Sequence, residues 1–230
     1  MLEYSLTPEH PFPCQLIQAV AALRYLLLDK ELSVEDMILG GDSAGGHLIL
    51  SLLTHLISPS PYAPSLDLQG RQLKAIVLVS PWASLSWPQA QQLPSAKGDY
   101  LTRTAIEHFY LMAKEPTDDI WALQCEKDKL LSVWKQLYPG PPADSISQKL
   151  ILAVGDLEIL YESCMDFGQE ILGLDVVHVC DPQELDLTRQ LNYVLAVAPG
   201  EAHVQPALDC AVGYDNGNML RSILGFLGTC

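Results

Sequence analysis

A glycine-rich heptapeptide at residues 40–46, GGDSAGG, limits the fold of this chain more than any other stretch does. It stands between the apolar run Met37-Ile38-Leu39 and a long apolar segment at residues 47–57, and this order predicts a strand, a sharp turn and a buried helix. The spacing Gly41-x-Ser43-x-Gly45 fits a nucleophile elbow, whose strained backbone lifts the serine hydroxyl clear of the sheet and leaves room only for glycine two residues to either side. We therefore predict that Ser43 is a nucleophile.

The residue after the serine, Ala44, begins the predicted helix. A backbone N–H at this position points to the place where an acyl oxygen would gain negative charge, so we expect Ala44 to donate to an oxyanion. A glycine-rich turn can also pack a helix on a strand, or bind an anion, without any catalysis. We favour a nucleophile because a G-x-S-x-G motif between an apolar run and a helix is in the context that this function requires.

The bulk composition indicates one globular domain over residues 1–230, because 49% of the residues are hydrophobic and can form a single core. The formal net charge of −15, with 13 scattered Lys and Arg residues, argues against nucleic acid and anionic membrane surfaces as partners. No run reaches the roughly 18 to 20 apolar residues that a membrane span needs, and the N-terminus does not resemble a signal peptide.

The six cysteines are widely dispersed, with no C-x-x-C motif, and the histidines show no ligand spacing. This pattern predicts neither a metal site nor a disulfide scaffold. The dispersed cysteines indicate a reducing compartment, so we expect a cytoplasmic protein.

Near-continuous apolar runs at residues 74–80, 150–154, 176–179 and 192–198 are typical of parallel strands that are covered on both faces. Helices are predicted at about 12–28, 160–172 and 218–227 from apolar periodicity and turn residues. Residues 2–6 are predicted to be the tail of a further strand. The alternation of strands and helices indicates an α/β protein with a mostly parallel, doubly wound sheet.

Residues 82–148 interrupt this alternation, since they are rich in Pro and Gly and contain all four tryptophans, Trp82, Trp87, Trp121 and Trp134. We predict a cap-like insertion at about 82–148, with a helix near 102–113, that lies over the strand ends and lines an apolar pocket with aromatic side chains. A satellite core would use the same aromatic residues equally well.

A catalytic serine needs a base, usually a histidine, and an acid that orients the base. In this fold class the chain order is serine, acid, histidine, and catalytic residues follow the carboxyl ends of strands. Only His203 lies in a loop after the last predicted strand, so we predict it as the base. The other histidines precede the serine, follow it on the same helix, or lie in the insertion or inside a strand: His10, His47, His55, His108 and His178.

The acid is either Asp156 or Glu158, because both occupy the loop after the predicted strand at residues 150–154. Since the two residues are two positions apart, their side chains are expected to face opposite ways. One of them would then only cap or solvate the loop.

Four segments of the chain resemble a known family. The segment YSLTPEHPFP, residues 4–13, followed by GGDSAGG, resembles the hormone-sensitive-lipase-like α/β hydrolases, whose relatives include arylacetamide deacetylases and fungal steryl acetyl hydrolases. The segment GDLEIL, residues 155–160, looks like the acid loop of that family, and PGEAH, residues 199–203, is similar to its histidine loop. The resemblance implies the α/β-hydrolase fold and puts Glu158 at the acid position, so we favour Glu158 over Asp156.

Family members also carry an upstream His-Gly-Gly-Gly loop, which completes the oxyanion hole, and about three further strands. The resemblance covers nearly all of the 230 residues but only the later part of a family member, so we expect a sheet without its first strands. Ala44 would then be the remaining oxyanion donor. An uncovered edge at residues 2–6, or at the neighbouring strand, would favour homo-oligomers.

The residues and the resemblance together predict a serine carboxylic-ester hydrolase, similar to esterases and deacetylases, for small or mid-sized apolar esters. Ser43, His203 and Glu158 would do the chemistry, and no cofactor is needed. The alternative is a weak or inactive hydrolase-fold protein that binds a hydrophobic ligand or partner, because the glycine loop is absent.

Overall fold

A computed structural model describes residues 1–83, 98–113, 119–123 and 126–230 of the chain. The strands in these ranges are β1 (Ile38–Asp42), β2 (Ala75–Val79), β3 (Leu150–Gly155), β4 (Asp175–His178) and β5 (Tyr193–Ala198). They form one sheet in the order β1-β2-β3-β5-β4, and every neighbouring pair is parallel. The predicted α/β class with a parallel sheet is therefore confirmed.

The helices in the described ranges are α1 (Cys14–Arg24), α2 (Ala44–Ile57), α3 (Arg103–Ala113), α4 (Lys127–Leu137), α5 (Tyr161–Asp166), α6 (Pro182–Gln190), α7 (Gln205–Ala211) and α8 (Asn218–Leu227). Two of them, α1 and α5, continue into π-helical turns at Tyr25–Asp29 and Phe167–Ile171. The bounds of α8 agree with the predicted ones, whereas α4, α6 and α7 lie where the sequence analysis places no helix.

Both faces of the sheet are covered, and the side chains of β3 alternate between two cores. Leu150, Leu152 and Val154 pack in the core that α1, α2, α4 and α5 cover. Ile151 and Ala153 pack in the core on the other face, to which α6 and α8 contribute. All six residues of β3 are buried, which explains why this strand is an uninterrupted apolar run in the sequence.

The first residues of the chain do not form the predicted strand. The Ser5 amide donates to Gln18 Oε1 (2.8 Å), and Gln18 Nε2 donates to Ser5 Oγ (2.9 Å), so α1 holds the polar groups of this segment in place of a neighbouring strand. In the described ranges β1 pairs with β2 alone, and its residues Ile38 and Gly40 are exposed. Of the two places predicted for an uncovered edge, β1 is therefore the one that is an edge strand in the described residues, and self-association through it stays a prediction.

The described parts of residues 82–148 lie in two different places in the fold, one in the core and one at a cavity. The helix α4 packs against α2 and against the π-helical turn after α5, and its Trp134 is buried between Tyr138 and Phe167 in the core. The helix α3 and Trp82 instead line the cavity described below. Trp87 lies outside the described residues.

The Glu201 carboxylate joins the loop after β5 to the start of α8. Its Oε1 accepts a hydrogen bond from the Asn218 amide (2.5 Å) and its Oε2 one from the Met219 amide (3.1 Å). Burial raises the pKa of Glu201 above the ordinary value of 4.5. The hydrogen bonds from the two backbone amides oppose this rise, and the charge of Asp209 adds to it. The folded protein therefore holds this proton more tightly than the unfolded chain does.

A group with a raised pKa in the folded state contributes stability that is complete below its ordinary pKa and is lost as the pH rises through the folded pKa. We therefore expect the advantage of the wild type over Glu201→Gln, in free energy of unfolding, to shrink as the pH rises from about 4 to about 7. Denaturant unfolding of both proteins at several pH values measures this. A difference that is constant with pH, or that grows, would contradict the prediction.

Candidate active site

Ser43 occupies the turn between β1 and α2, at the carboxyl end of β1. Its backbone has φ 49° and ψ −115°, a left-handed conformation that residues other than glycine rarely adopt. The Ser43 amide donates to the Val79 carbonyl (3.0 Å), and the Ser43 carbonyl accepts from the amides of His47 and Trp82 (3.0 Å each). Hydrogen bonds on both sides of the residue therefore hold the strained turn in place.

The close contacts of the turn differ in part from those predicted. A Cβ on Gly41 would collide with the Gly45 carbonyl and lie 2.7 Å from the Gly46 amide, and a Cβ on Gly46 would lie 2.8 Å from the side chain of Pro81. A Cβ on Gly45 would meet only the Asp42 carboxylate, at an ordinary distance of 3.9 Å. The expectation that space requires glycine at position 45 is therefore wrong, because the nearest atom to such a Cβ lies at an ordinary contact distance.

Glu158 lies in the loop after β3, and only 3% of the residue is exposed. Its Oε2 accepts hydrogen bonds from the Ser80 hydroxyl (2.6 Å) and the Gly155 amide (3.2 Å), whereas its Oε1 has no hydrogen-bond partner among the described residues. Asp156 is exposed, and its Oδ1 accepts from the Gly200 amide (2.7 Å). The two candidate acids therefore have different surroundings, one buried and the other at the surface.

His203 lies in the loop after β5 and is 2% exposed. Its Nδ1 is 3.5 Å from Glu158 Oε1, and within the described part of the chain neither atom has another partner. This distance is long for a hydrogen bond, but catalytic hydrogen bonds are often loose before substrate binds and tighten in the complex. The loops approach this closely because Gly155 has no side chain, since a Cβ there would overlap the backbone of Glu201.

A cavity of about 530 Å³ opens beside the turn at Ser43. Ser43, Ala44 and His203 line it, so the structure brings the predicted nucleophile, oxyanion donor and base to one cavity. Neither candidate acid lines the cavity, but Glu158 is next to the imidazole on the Nδ1 side. Aromatic and aliphatic side chains supply much of the remaining wall, among them Tyr4, Phe12, Trp82, Tyr100, Ile106 and Phe109.

The charges around the cavity are negative. Of the described residues that line it, Asp42 is the one carboxylate, and none is Lys or Arg. Burial raises the pKa of Tyr4, and the Asp42 charge adds to the rise, so Tyr4 remains a neutral donor at the wall. Burial also raises the pKa of the Cys164 thiol well above its usual range, with a smaller effect of the Glu158 carboxylate. This thiol donates to the Pro81 carbonyl (3.3 Å), and burial disfavours its thiolate form.

Two polar residues that the sequence analysis did not single out also reach the site. Ser80 follows β2 directly and donates to Glu158, and Asp99 accepts hydrogen bonds from the amides of Ile159 (2.8 Å) and His203 (3.4 Å). The sequence contains a signal for Ser80, namely its position at the end of an apolar run that predicts a strand. The neighbouring strands β1, β2, β3 and β5 are followed, in this order, by the loops of Ser43, Ser80, Glu158 and His203.

Residues 1–83, 98–113, 119–123 and 126–230 contain no helix that is long and apolar enough to cross a membrane. In the same ranges no three His, Cys, Asp or Glu side chains cluster in a way that could bind a metal ion. The described cysteines are free thiols, namely Cys14, Cys164, Cys180, Cys210 and Cys230, and Cys125 lies outside the described residues.

Residues 1–160 match a family model described as alpha/beta hydrolase fold. An esterase from Acinetobacter venetianus is 27% identical over 180 residues, which are 76% of this chain and 51% of that protein. An acetyl-hydrolase from Streptomyces hygroscopicus is 34% identical over 119 residues, which are 50% of this chain and 36% of that protein. The chain thus spans about half, or less, of the length of these curated relatives.

The fold matches the crystal structure of an esterase from the bacterial hormone-sensitive lipase family with a TM-score of 0.61 and 23% sequence identity. The match covers 99% of this chain and 64% of that one. This likeness concerns the fold, and it agrees with the family match and with the esterase relatives. The resemblance that the sequence motifs indicate is therefore confirmed, and the chain belongs to the alpha/beta hydrolase fold family.

Proposed function

We propose that the protein is a serine carboxylic-ester hydrolase in which Ser43 is the nucleophile, His203 the base and Glu158 the acid. The observation that carries this proposal is the meeting of Ser43 and His203 at one cavity, with Glu158 Oε1 3.5 Å from His203 Nδ1. Because Nδ1 faces the carboxylate, Nε2 is the nitrogen that is left for the serine hydroxyl. The relatives named esterase and acetyl-hydrolase support the same chemistry.

In the acylation step, the Ser43 hydroxyl attacks the ester carbonyl and His203 Nε2 takes its proton. The Ala44 amide, at the start of α2, donates to the carbonyl oxygen as that atom gains negative charge, and the helix dipole adds to the effect. His203 then returns the proton to the departing alcohol. Water attacks the acyl-enzyme by the same route, and Glu158 orients the imidazole and stabilises its charged form in both steps.

The cavity favours neutral esters with apolar groups. Its volume of about 530 Å³ and its aromatic and aliphatic wall suit an acyl or alcohol group of small to medium size. The Asp42 carboxylate, with no lining Lys or Arg in the described residues, disfavours anionic substrates. We assign the wall that α3 forms, with Ile106 and Phe109, to the cap-like insertion that the sequence predicts.

A series of p-nitrophenyl esters from acetate to decanoate tests the proposed substrate class. We expect hydrolysis by the wild type to be fastest with short and medium acyl chains and weak with succinate half-esters, which carry a negative charge. Absence of turnover with every ester would contradict the proposal. Binding of an apolar ester that neither turns over nor depends on Ser43 would support the alternative, an inactive hydrolase-fold protein that binds a hydrophobic ligand.

Glu158→Gln is expected to lower kcat about 10²- to 10⁴-fold, because an amide in place of the carboxylate can donate toward Nδ1 and favour the wrong imidazole tautomer. Asp156→Asn is the matched control from the same loop. Its side chain contacts the Gly200 amide at the surface, so kcat should change less than about threefold. Steady-state ester hydrolysis by both variants measures this. The reverse order of effects would identify Asp156 as the acid.

A further inference from the structure

We propose that Ser80 and Asp99 are positioning residues that form a brace between the Glu158 loop and the His203 loop. This inference rests on the proposed hydrolase function, since it concerns the same acid and base. Each of the two residues makes hydrogen bonds to both loops. They come from different parts of the chain, Ser80 from the end of β2 and Asp99 from the segment before α3.

Ser80 connects the acid to the backbone beside the base. It is fully buried, its hydroxyl donates to Glu158 Oε2 (2.6 Å), and its Oγ accepts from the Val204 amide (3.1 Å). Because Ser80 and the Gly155 amide occupy Oε2, Oε1 is the oxygen that remains to face His203. The serine hydroxyl and the Gly155 amide therefore together determine which carboxylate oxygen faces the imidazole.

The backbone at both ends of this contact is strained. Ser80 has φ 46° and Val204 has φ 48°, and a β-branched residue in this region is a rare outlier. Strained conformations of this kind persist where contacts with the surrounding structure hold them in place, and they cluster at functional sites. The hydrogen bond from the Val204 amide to Ser80 Oγ joins the two strained residues. Val204 directly follows His203 in the chain, so this bond also restrains the backbone next to the imidazole.

Asp99 joins the same two loops through their backbones. Its Oδ2 accepts from the Ile159 amide (2.8 Å), which follows the acid, and its Oδ1 accepts from the amide of His203 (3.4 Å). The same Oδ1 also accepts from the Leu101 amide (3.2 Å). Leu101 lines the cavity, and so does Tyr100, whose ring centroid is 6.1 Å from that of His203. Asp99 therefore ties the cavity wall to both catalytic loops.

The kinetic test uses Ser80→Ala, Ser80→Gly and Asp99→Asn. Each is expected to lower kcat for p-nitrophenyl butyrate about 10- to 100-fold and to change KM less than about threefold, because the acid and base lose their alignment while the cavity remains. Glycine relieves the backbone strain at φ 46° and alanine does not, so the two variants differ in stability but both lack the hydroxyl. Equal losses of kcat in the two variants would therefore result from loss of the hydroxyl and not from a change in stability. The combined variant should lose less than the product of the single losses.

Two controls match the tested residues. Ser222→Ala removes another fully buried hydroxyl, which donates to the Met219 carbonyl on α8 and not to either catalytic loop. Asp67→Asn alters another aspartate whose carboxylate accepts a hydrogen bond from the backbone amide two residues later in the sequence, here in an exposed turn. Both controls should retain kcat within about threefold. Wild-type kcat in folded Ser80→Ala, Ser80→Gly and Asp99→Asn would overturn the brace.

A spectroscopic measurement tests the brace independently of turnover. The low-field proton NMR signal of His203 Nδ1–H, assigned by its loss in His203→Gln, reports the alignment of His203 with Glu158. We expect this signal in the wild type and its loss or marked broadening in Ser80→Ala. An unchanged signal would refute the brace. A wild type that has the signal, loses it in Ser80→Ala and yet hydrolyses no ester would refute the proposed function and leave the brace supported.

Discussion

Replacing Ser43 with alanine is expected to lower kcat/KM for p-nitrophenyl butyrate by about 10⁴-fold or more, because it removes the attacking oxygen and leaves the rest of the cavity in place. Alanine at φ 49° has nearly the same backbone strain as serine, so the free energy of unfolding should change by less than about 0.5 kcal/mol. Steady-state hydrolysis and denaturant unfolding of the purified variant measure the two effects.

The matched control for this variant is Ser132→Ala, which removes an exposed hydroxyl on α4 that donates to the Lys129 carbonyl of its own helix. It should hydrolyse the ester at the wild-type rate. If folded Ser43→Ala kept more than about a tenth of the wild-type kcat/KM, nucleophilic attack by Ser43 would be excluded.

Gly41→Ala is expected to destabilise the fold by about 3 kcal/mol or more, or to prevent folding. The added methyl group would overlap the backbone of Gly45, which belongs to the same tight turn, and neither β1 nor α2 can move without breaking core contacts. Thermal and denaturant unfolding of the variant measure the loss, and solubility on expression gives a first indication.

Gly45→Ala separates this effect from a general intolerance of the GGDSAGG segment. A Cβ at position 45 has room, and alanine favours helix in the first turn of α2, so stability should stay the same or rise by up to about 1 kcal/mol. Equal destabilisation by the two variants would show that the turn needs glycine for a reason other than the contact at Gly41.

Much of the fold could be predicted because the buried strands have unmistakable sequences. β3 is apolar throughout since both of its faces are covered, and the turn at Ser43 has a spacing that few other structures require. His203 could be singled out by chain order together with its place in a loop after the last predicted strand. The choice of Glu158 over Asp156 depended on the resemblance, because nothing in the local sequence indicates which carboxylate is buried.

Other features depended on contacts between distant residues. The pattern at residues 2–6 predicts a strand, but Gln18 supplies hydrogen-bond partners for Ser5, and no local pattern predicts that contact. Asp99 reaches Ile159 and His203 only because the fold brings its segment to the strand ends. The helix α6 did have a local signal, since Asp181 caps it and Pro182 begins it.

Covalent labelling of the nucleophile tests the central claim most directly. Incubation with diethyl p-nitrophenyl phosphate, followed by peptide mass spectrometry, should place one diethylphosphoryl group on Ser43 and release one equivalent of p-nitrophenol per chain. Labelling should be much slower in His203→Ala, because the serine hydroxyl then lacks its base. Absence of any adduct in the folded wild type, or an adduct on a different serine, would contradict the assignment of Ser43 as the activated nucleophile.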